Sequence, residues 1–269
     1  MSNQCFFMDR GTLGNPGPGD QLSLEGPEAH HAVNVKRVRA GEMIDLVDGT
    51  GVRASVEVID TDKSSLRAVV RNVEHEEANP VRITLIQGLA KGDRDLQAVE
   101  SAVELGIDAV RPWQSERAIV RWNEAKAAKA LGKWEATVLA ALKQSRRTFL
   151  PEVAPMLTTA GLAQELAARI SSDIPTLVLI LHERGTDSVA GLLEAWKATL
   201  PAATPADGSS NPYGEVFLVV GPEGGISDAE LEKFMGVGAK PALLGNHVLR
   251  ASTAGPAALV LVRHLLGQL

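Results

Sequence analysis

Residues 216–234 read VFLVVGPEGGISDAELEKF, and the change of pattern inside them decides the fold class. A run of five apolar residues ends at Gly221, as a strand buried on both faces does. The loop Gly221-Pro222-Glu223-Gly224-Gly225 follows, and Ser227 and Glu230 then give the S-x-x-E spacing that opens a helix. Strand, glycine-rich loop and helix N-terminus in that order form an α/β unit. In open α/β sheets, ligands bind at the carboxyl ends of the strands, where this loop lies. Glycines let the backbone approach a ligand closely, though a tight turn alone also explains them. No Gly-Lys-Ser/Thr follows, so this is not a phosphate-binding P-loop, and the spacing is not G-x-G-x-x-G.

The same alternation extends in both directions. Upstream, 82–90, 108–113 and 176–183 read as strands, and 123–147, 159–170 and 188–200 as helices. The segment between the first two strands places Leu96, Val99 and Val103 on one helical face, with Gly106 as its stop. Downstream come a strand over KPALLG and a final helix from about residue 252, capped by Ser252 or Thr253. The stretch 201–214 is rich in Pro, Ser, Gly and Ala and reads as a loop. Residues 1–75 differ: short β-branched segments (MIDLVDGTG, ASVEVID, LRAVVRNV) alternate with Gly/Asp turns, which predicts a small β-barrel. The polar EHEEANP segment supplies the linker at 76–80, leaving 81–269 as an α/β domain with a mostly parallel sheet.

The 269 residues carry a net charge of −6, so any nucleic-acid contact must rest on local clusters rather than on the whole chain. Two such clusters stand out: Lys36, Arg37 and Arg39 in the small domain, and Lys143, Arg146 and Arg147 at a helix end. Cations at a helix C-terminus also complement its dipole, so the first cluster is the stronger RNA candidate. Cys5 is the single cysteine, which excludes a disulfide framework or a multi-Cys zinc site and suits a reducing cytoplasm. No apolar run reaches the length of a membrane span, and the first residues show no signal-peptide pattern.

Two further strand ends carry polar loops. LHERGT at 181–186 holds His182 and Glu183. LLGNHVLRAST at 243–253 holds Leu244, Gly245, Val248, Leu249, Arg250 and Ser252, with Arg250 a lone charge among apolar residues. His247 reads as a solvated loop residue, and His264 as helix packing. Three such loops on one sheet edge make a better site than any one of them.

In combination, GPEGGIS-x-x-E, LLG-x-x-VLR-x-x-TA, LAKGDR…ELG, SERAIVRW and KQSRR…PEV resemble the RsmE-type 16S ribosomal RNA (uracil-N3) methyltransferases of the SPOUT class. HHAVNVKRVRAGEMIDLVDGTG resembles that family's PUA-like barrel. The resemblance implies an α/β domain with a deep trefoil knot, S-adenosyl-L-methionine as donor and a homodimer built through the knotted domain. Carried onto this chain, the donor loops are His182–Glu183, Gly221–Gly225 with Pro222, Glu223 and Gly224, and Leu244–Ser252. The chain departs from the family at Glu100-Ser101, Asn246-His247 and Ser252; a family Glu at the last position is absent here. The substrate implied is 16S ribosomal RNA or the small subunit, with no membrane or metal partner. Arg250 is expected to stabilise charge on the uracil and Glu223 to act as base or to orient the donor's amino group. Another RNA target, or a non-catalytic ribosome-assembly protein, is the alternative.

Overall fold

The computed structural model describes residues 3–200 and 213–269; most of the proline-rich stretch expected to form a loop lies outside them. The chain divides into two compact units. The first comprises Met1–Ala78 with Leu142–Leu150, and the second Asn79–Ala141 with Pro151–Leu269.

In the first unit, β1 (Gln4–Phe7), β2 (Gln21–Glu25), β3 (Met43–Val47), β4 (Val52–Asp62) and β5 (Ser65–His75) form one sheet in the order β1-β3-β4-β5-β2. β1 runs parallel to β3, and the other pairs are antiparallel. The hydrogen-bonded path ends at β1 and β2, yet all five strands feed a single core. Phe6, Leu24, Ile44, Val56 and Leu66 meet there with Ala29 and Ala32. The helix α1 (Gly26–His30) and a π-helical turn (His31–Val35) bring in those two alanines. Alternation along β4 buries Val52, Ala54, Val56 and Val58 on one face, as a half-solvated strand requires. The hairpin at Asp48–Gly51 is held by the fully buried Asp48, whose Oδ1 accepts from Thr50 N at 3.1 Å and Thr50 Oγ1 at 2.7 Å.

Leu142–Leu150 belongs to this unit through specific bonds. Arg53 Nη2 donates to the Arg146 carbonyl at 2.6 Å, Leu150 N to the Gly49 carbonyl at 3.1 Å, and Thr148 Oγ1 to Glu76. Gly51, at φ +97°, leaves no room for a side chain beside the Phe149 ring. Glu76 is therefore part of the folded unit rather than of a linker, and no local pattern in the sequence signals the return of residues 142–150.

The second unit contains β6 (Val81–Gly88), α2 (Arg94–Glu104), β7 (Ala109–Gln114), α3 (Glu124–Ser145, up to Ala141), β8 (Glu152–Val153), β9 (Leu157–Thr158), α4 (Thr159–Ile170), β10 (Thr176–Leu181), β11 (Asp187–Ser188), α5 (Val189–Lys197), β12 (Gly214–Val220), α6 (Asp228–Gly236), β13 (Lys240–Leu243) and α7 (Ala251–Leu266). Its sheet runs β11-β13-β10-β12-β6-β7-β8, with β9 beside β7, and every pair is parallel. β12 is central, and all seven of its residues are buried. Leu162, Leu166, Leu231 and Phe234 of α4 and α6 pack on Ile86, Val178, Phe217 and Val219 of the sheet. α7 packs against α2, α5, β6 and β12. Gly255 of α7 allows that approach, since a Cβ there would lie 2.8 Å from a Leu85 methyl. Gly106 takes φ +94° after α2, as a helix stop should, against the Arg263 guanidinium. Among the described residues no helix is long and apolar enough to cross a membrane.

One local expectation fails. Arg250, with extended backbone angles, precedes the first turn of α7, and no side chain caps it. Ser252 and Thr253 lie inside the helix.

Candidate active site

Because the sheet is wholly parallel, the loops after β6, β7, β10, β12 and β13 all leave from one edge. A cavity of about 600 Å³ opens there. It is lined by His182 and Glu183, by Gly221–Gly225, and by Val248, Leu249 and Arg250, so three loops singled out in the sequence meet. Leu244, Gly245 and Ser252 do not line it. Leu181, Val220, Val248, Leu249, Ala251 and Ala254 give the cavity apolar wall, and carboxylates and guanidinia ring it.

The loop after β12 is shaped by its own contacts. A Cβ on Gly221 would lie 2.8 Å from the Ile226 side chain, and one on Gly224 would lie 3.1 Å from both the Cβ and the carbonyl oxygen of Arg117. Gly225 turns the chain at φ +71°. These glycines thus serve close packing within the protein, the plainer of their two sequence readings. Beyond the loop the expected capping box is present at α6: Ser227 Oγ accepts from Glu230 N at 3.2 Å, and Ser227 N donates to Glu230 Oε2 at 3.0 Å.

Glu230 is buried and does more than cap. Its Oε1 accepts from Glu116 N at 2.7 Å and from Thr159 Oγ1 at 2.6 Å. Ser227 Oγ in turn donates to Glu116. One carboxylate thereby joins the β7 loop, the start of α4 and the start of α6. From this anchored loop Arg117 reaches the cavity, and its Nη1 donates to the Gly224 carbonyl at 3.3 Å.

Glu223 is also held. Its Oε1 accepts from Lys91 N at 3.1 Å and from Arg94 Nη1 at 3.0 Å, which ties the turn after β6 to the loop after β12. Arg184 and Asp228 pair across the rim at 2.6 Å, and His182 Nδ1 accepts from Arg184 N at 3.1 Å. Arg250 differs: it is exposed, it lines the cavity, and no carboxylate pairs with it among the described residues.

Arg94, Arg117, Arg184 and Asp228 were missed as site residues, although LAKGDR and SERAIVRW were conspicuous. Extending the strand-end rule to β6 and β7 identifies the first two. Of the basic clusters, both in the first unit, Lys36, Arg37 and Arg39 are exposed, and Arg37 adopts φ +58°. Lys143 is committed to Glu28 at 2.9 Å. Arg146 and Arg147 are half-buried, and the Arg146 carbonyl accepts from Arg53. Among the described residues no group of acidic, His or Cys side chains is placed to hold a metal ion.

A family model described as an RNA methyltransferase domain matches residues 77–263, and one described as an RNA methyltransferase PUA domain matches residues 24–71. The chain is 37% identical over 261 residues to the ribosomal RNA small subunit methyltransferase E of Mycobacterium bovis, covering 96% of this chain and 90% of that protein. It is 30% identical over 235 residues to the Bacillus subtilis protein of the same name, covering 87% and 86%. A crystal structure of ribosomal RNA small subunit methyltransferase E from Neisseria gonorrhoeae bound to S-adenosyl methionine is similar at a TM-score of 0.76 and 27% identity, over 98% of both chains.

Proposed function

We propose that this chain, which belongs to the family of ribosomal RNA small subunit methyltransferases E, transfers a methyl group from S-adenosylmethionine to N3 of a uridine in 16S ribosomal RNA. Its parallel α/β core and PUA-like small domain are those of a SPOUT-class methyltransferase. The observation that carries the reading is the convergence of the loops after β10, β12 and β13 on one cavity.

The cavity suits the donor. Its volume lies within the range of about 300–1,000 Å³ typical of small-molecule sites. Val220, Leu249 and Ala254 offer apolar surface to an adenine, and Glu183 and Glu223 offer acceptors to an ammonium or ribose hydroxyl. When bound, the donor supplies an electrophilic methyl group, so no metal is called for.

The protein must then align the uracil nitrogen, exclude water and favour loss of the N3 proton. Arg250 lines the cavity with no carboxylate partner among the described residues, and we assign it to the negative charge that develops on the uracil carbonyl oxygens. A planar guanidinium donates to such oxygens in fixed geometry. Glu223 has Oε1 committed to Lys91 and Arg94. That anchoring favours the orienting role over the role of a mobile base. N3 is hidden in paired RNA, so the uridine enters unpaired or flipped. Lys36, Arg37 and Arg39 contribute phosphate contacts from the small domain.

The trefoil knot belongs to the same reading. The insertion of β10 between β12 and β13 and the return of α7 across β6 and β12 support it. A homodimer formed through the second unit belongs to this reading too, and the exposed Val248 offers it an apolar contact. The enzyme acts in the cytoplasm, where ribosomal subunits are assembled. In the direct test, purified protein and labelled donor are incubated with small subunits from a strain lacking the gene. Transfer of label to RNA is expected, and its absence from subunits and free 16S RNA alike would contradict the proposal.

A further inference from the structure

We infer that the loop between β7 and α3, residues Ser115–Asn123, is the wall of the site that grips the RNA strand, with Ile119 as an apolar wedge and Arg121 as a phosphate contact. The inference rests on the methyltransferase reading of the cavity and deepens it.

This loop is pinned at both ends and bare in the middle. At its start Ser115 is buried, and Glu116 N is held by Glu230. Arg117 ties it to the donor loop through the Gly224 carbonyl, and Ala118 is buried beneath it. At its far end Trp122 N donates to Gln114 Oε1 at 2.7 Å, and the Trp122 ring meets the buried Trp134 edge-on at 6.1 Å. Between these anchors Ile119 is 64% exposed. A branched aliphatic side chain on a rigid, solvated loop gains nothing for folding there. Arg121 is exposed, and its Nη2 donates to the Glu116 carbonyl at 2.6 Å, which steadies the side chain while using one of the guanidinium's five N–H donors.

The arrangement suits a base-extruding enzyme. A flipped nucleotide leaves a gap in the stack, and enzymes that unstack bases fill or open such gaps with apolar side chains, Ile among them. Ile119 lies two residues from Arg117, which lines the cavity, so the wedge and the donor loop are parts of one anchored element. The cations on both sides of Ile119, at positions 117 and 121, give the loop the charge of a partner for a polyanion.

The test compares wild type with Ile119→Ser, Arg121→Ala and the double variant, using small subunits from a strain lacking the gene. The KM for subunits should rise about tenfold in the double variant, a change of ~1.4 kcal/mol. Arg121→Ala should reduce the slope of log K against log salt by about 0.7. Donor affinity by calorimetry and the melting temperature should not move, because both side chains are exposed. A photo-crosslinking residue placed at 119 should trap 16S RNA. Unchanged RNA KM and salt slope, or a crosslink to a second protein copy instead of RNA, would overturn the proposal. Failure of the wild-type protein to methylate any subunit RNA would instead contradict the underlying reading of the site, and this inference would fall with it.

Discussion

Arg250 stands out in the sequence because a charge among apolar residues at a helix entrance needs a reason, and in the structure it lines the cavity with no carboxylate partner among the described residues. If it stabilises the uracil in the transition state, Arg250→Ala should lower the single-turnover rate by about a hundred- to a thousandfold, with little change in donor affinity. Arg250→Lys should recover part of the loss. Near-normal turnover at saturating RNA and donor would make the residue structural. Arg117 was not legible as a site residue, because its partner carbonyl is 107 residues away in the chain. Gly224→Val makes that packing testable: the new Cβ would press on Arg117 at 3.1 Å, before either γ carbon is placed. Donor affinity should fall about tenfold or more, ~1.4 kcal/mol, while the fold persists; unchanged affinity by calorimetry would remove the loop from the site. Cys5 offers a check unconnected with catalysis. Burial first, and then the charge of Asp45, raise its thiol from 9.0 to about 11. At pH 8.5 native Cys5 should alkylate on the order of a hundredfold more slowly than the unfolded chain. Because the folded pKa is the higher one, this contribution to stability is whole below pH 9 and is lost as pH rises towards 11.

At the scale of elements, the sequence showed what depends on local pattern. The seven-residue buried β12, the alternation of β4, the stop at Gly106 and the capping box of α6 all follow from spacing and residue type. Elements that exist through distant partners were silent. β1 and β2 are short and polar in part, and β8, β9 and β11 have two residues each, formed only where a long neighbour offers its edge. The α7 cap failed for a related reason: Ser252 and Thr253 had the right chemistry, but the chain enters the helix at Arg250, two residues earlier. Glu230 separates the local from the distant contribution. Ser227→Ala removes the cap and should cost about 1 kcal/mol in urea unfolding. Glu230→Ala also strands the Glu116 amide and the Thr159 hydroxyl, and should cost roughly 2–3 kcal/mol. Equal losses for the two variants would mean that Glu230 acts only as a cap.

At the scale of the molecule, the division into a small β unit and a parallel α/β unit was readable from the change in period near residue 80. The assignment of Leu142–Leu150 to the first unit was not, because it depends on Arg53, Gly51 and Glu76 meeting a segment far along the chain. That segment also explains why KQSRR reads as an RNA patch in sequence while Lys143 is tied to Glu28 in the structure. Lys36, Arg37 and Arg39 remain solvent-facing, and changing all three to Ala should lower the salt slope of RNA binding by roughly 0.7–0.9 for each phosphate left without its cation. Donor affinity should stay constant, and an unaltered slope would take the small domain out of RNA binding. On the proposed function, the cavity serves methylation of one uridine at N3. Nucleoside mass spectrometry of 16S RNA, fragment by fragment, from a strain lacking the gene and from the same strain carrying wild type or Arg250→Ala, tests it most directly. A single N3-methyluridine is expected to disappear on deletion, to return with wild type and to stay at or near zero with the variant when pulse-labelled. An unchanged modification pattern on deletion, or the loss of a methyl group at another atom, would contradict it.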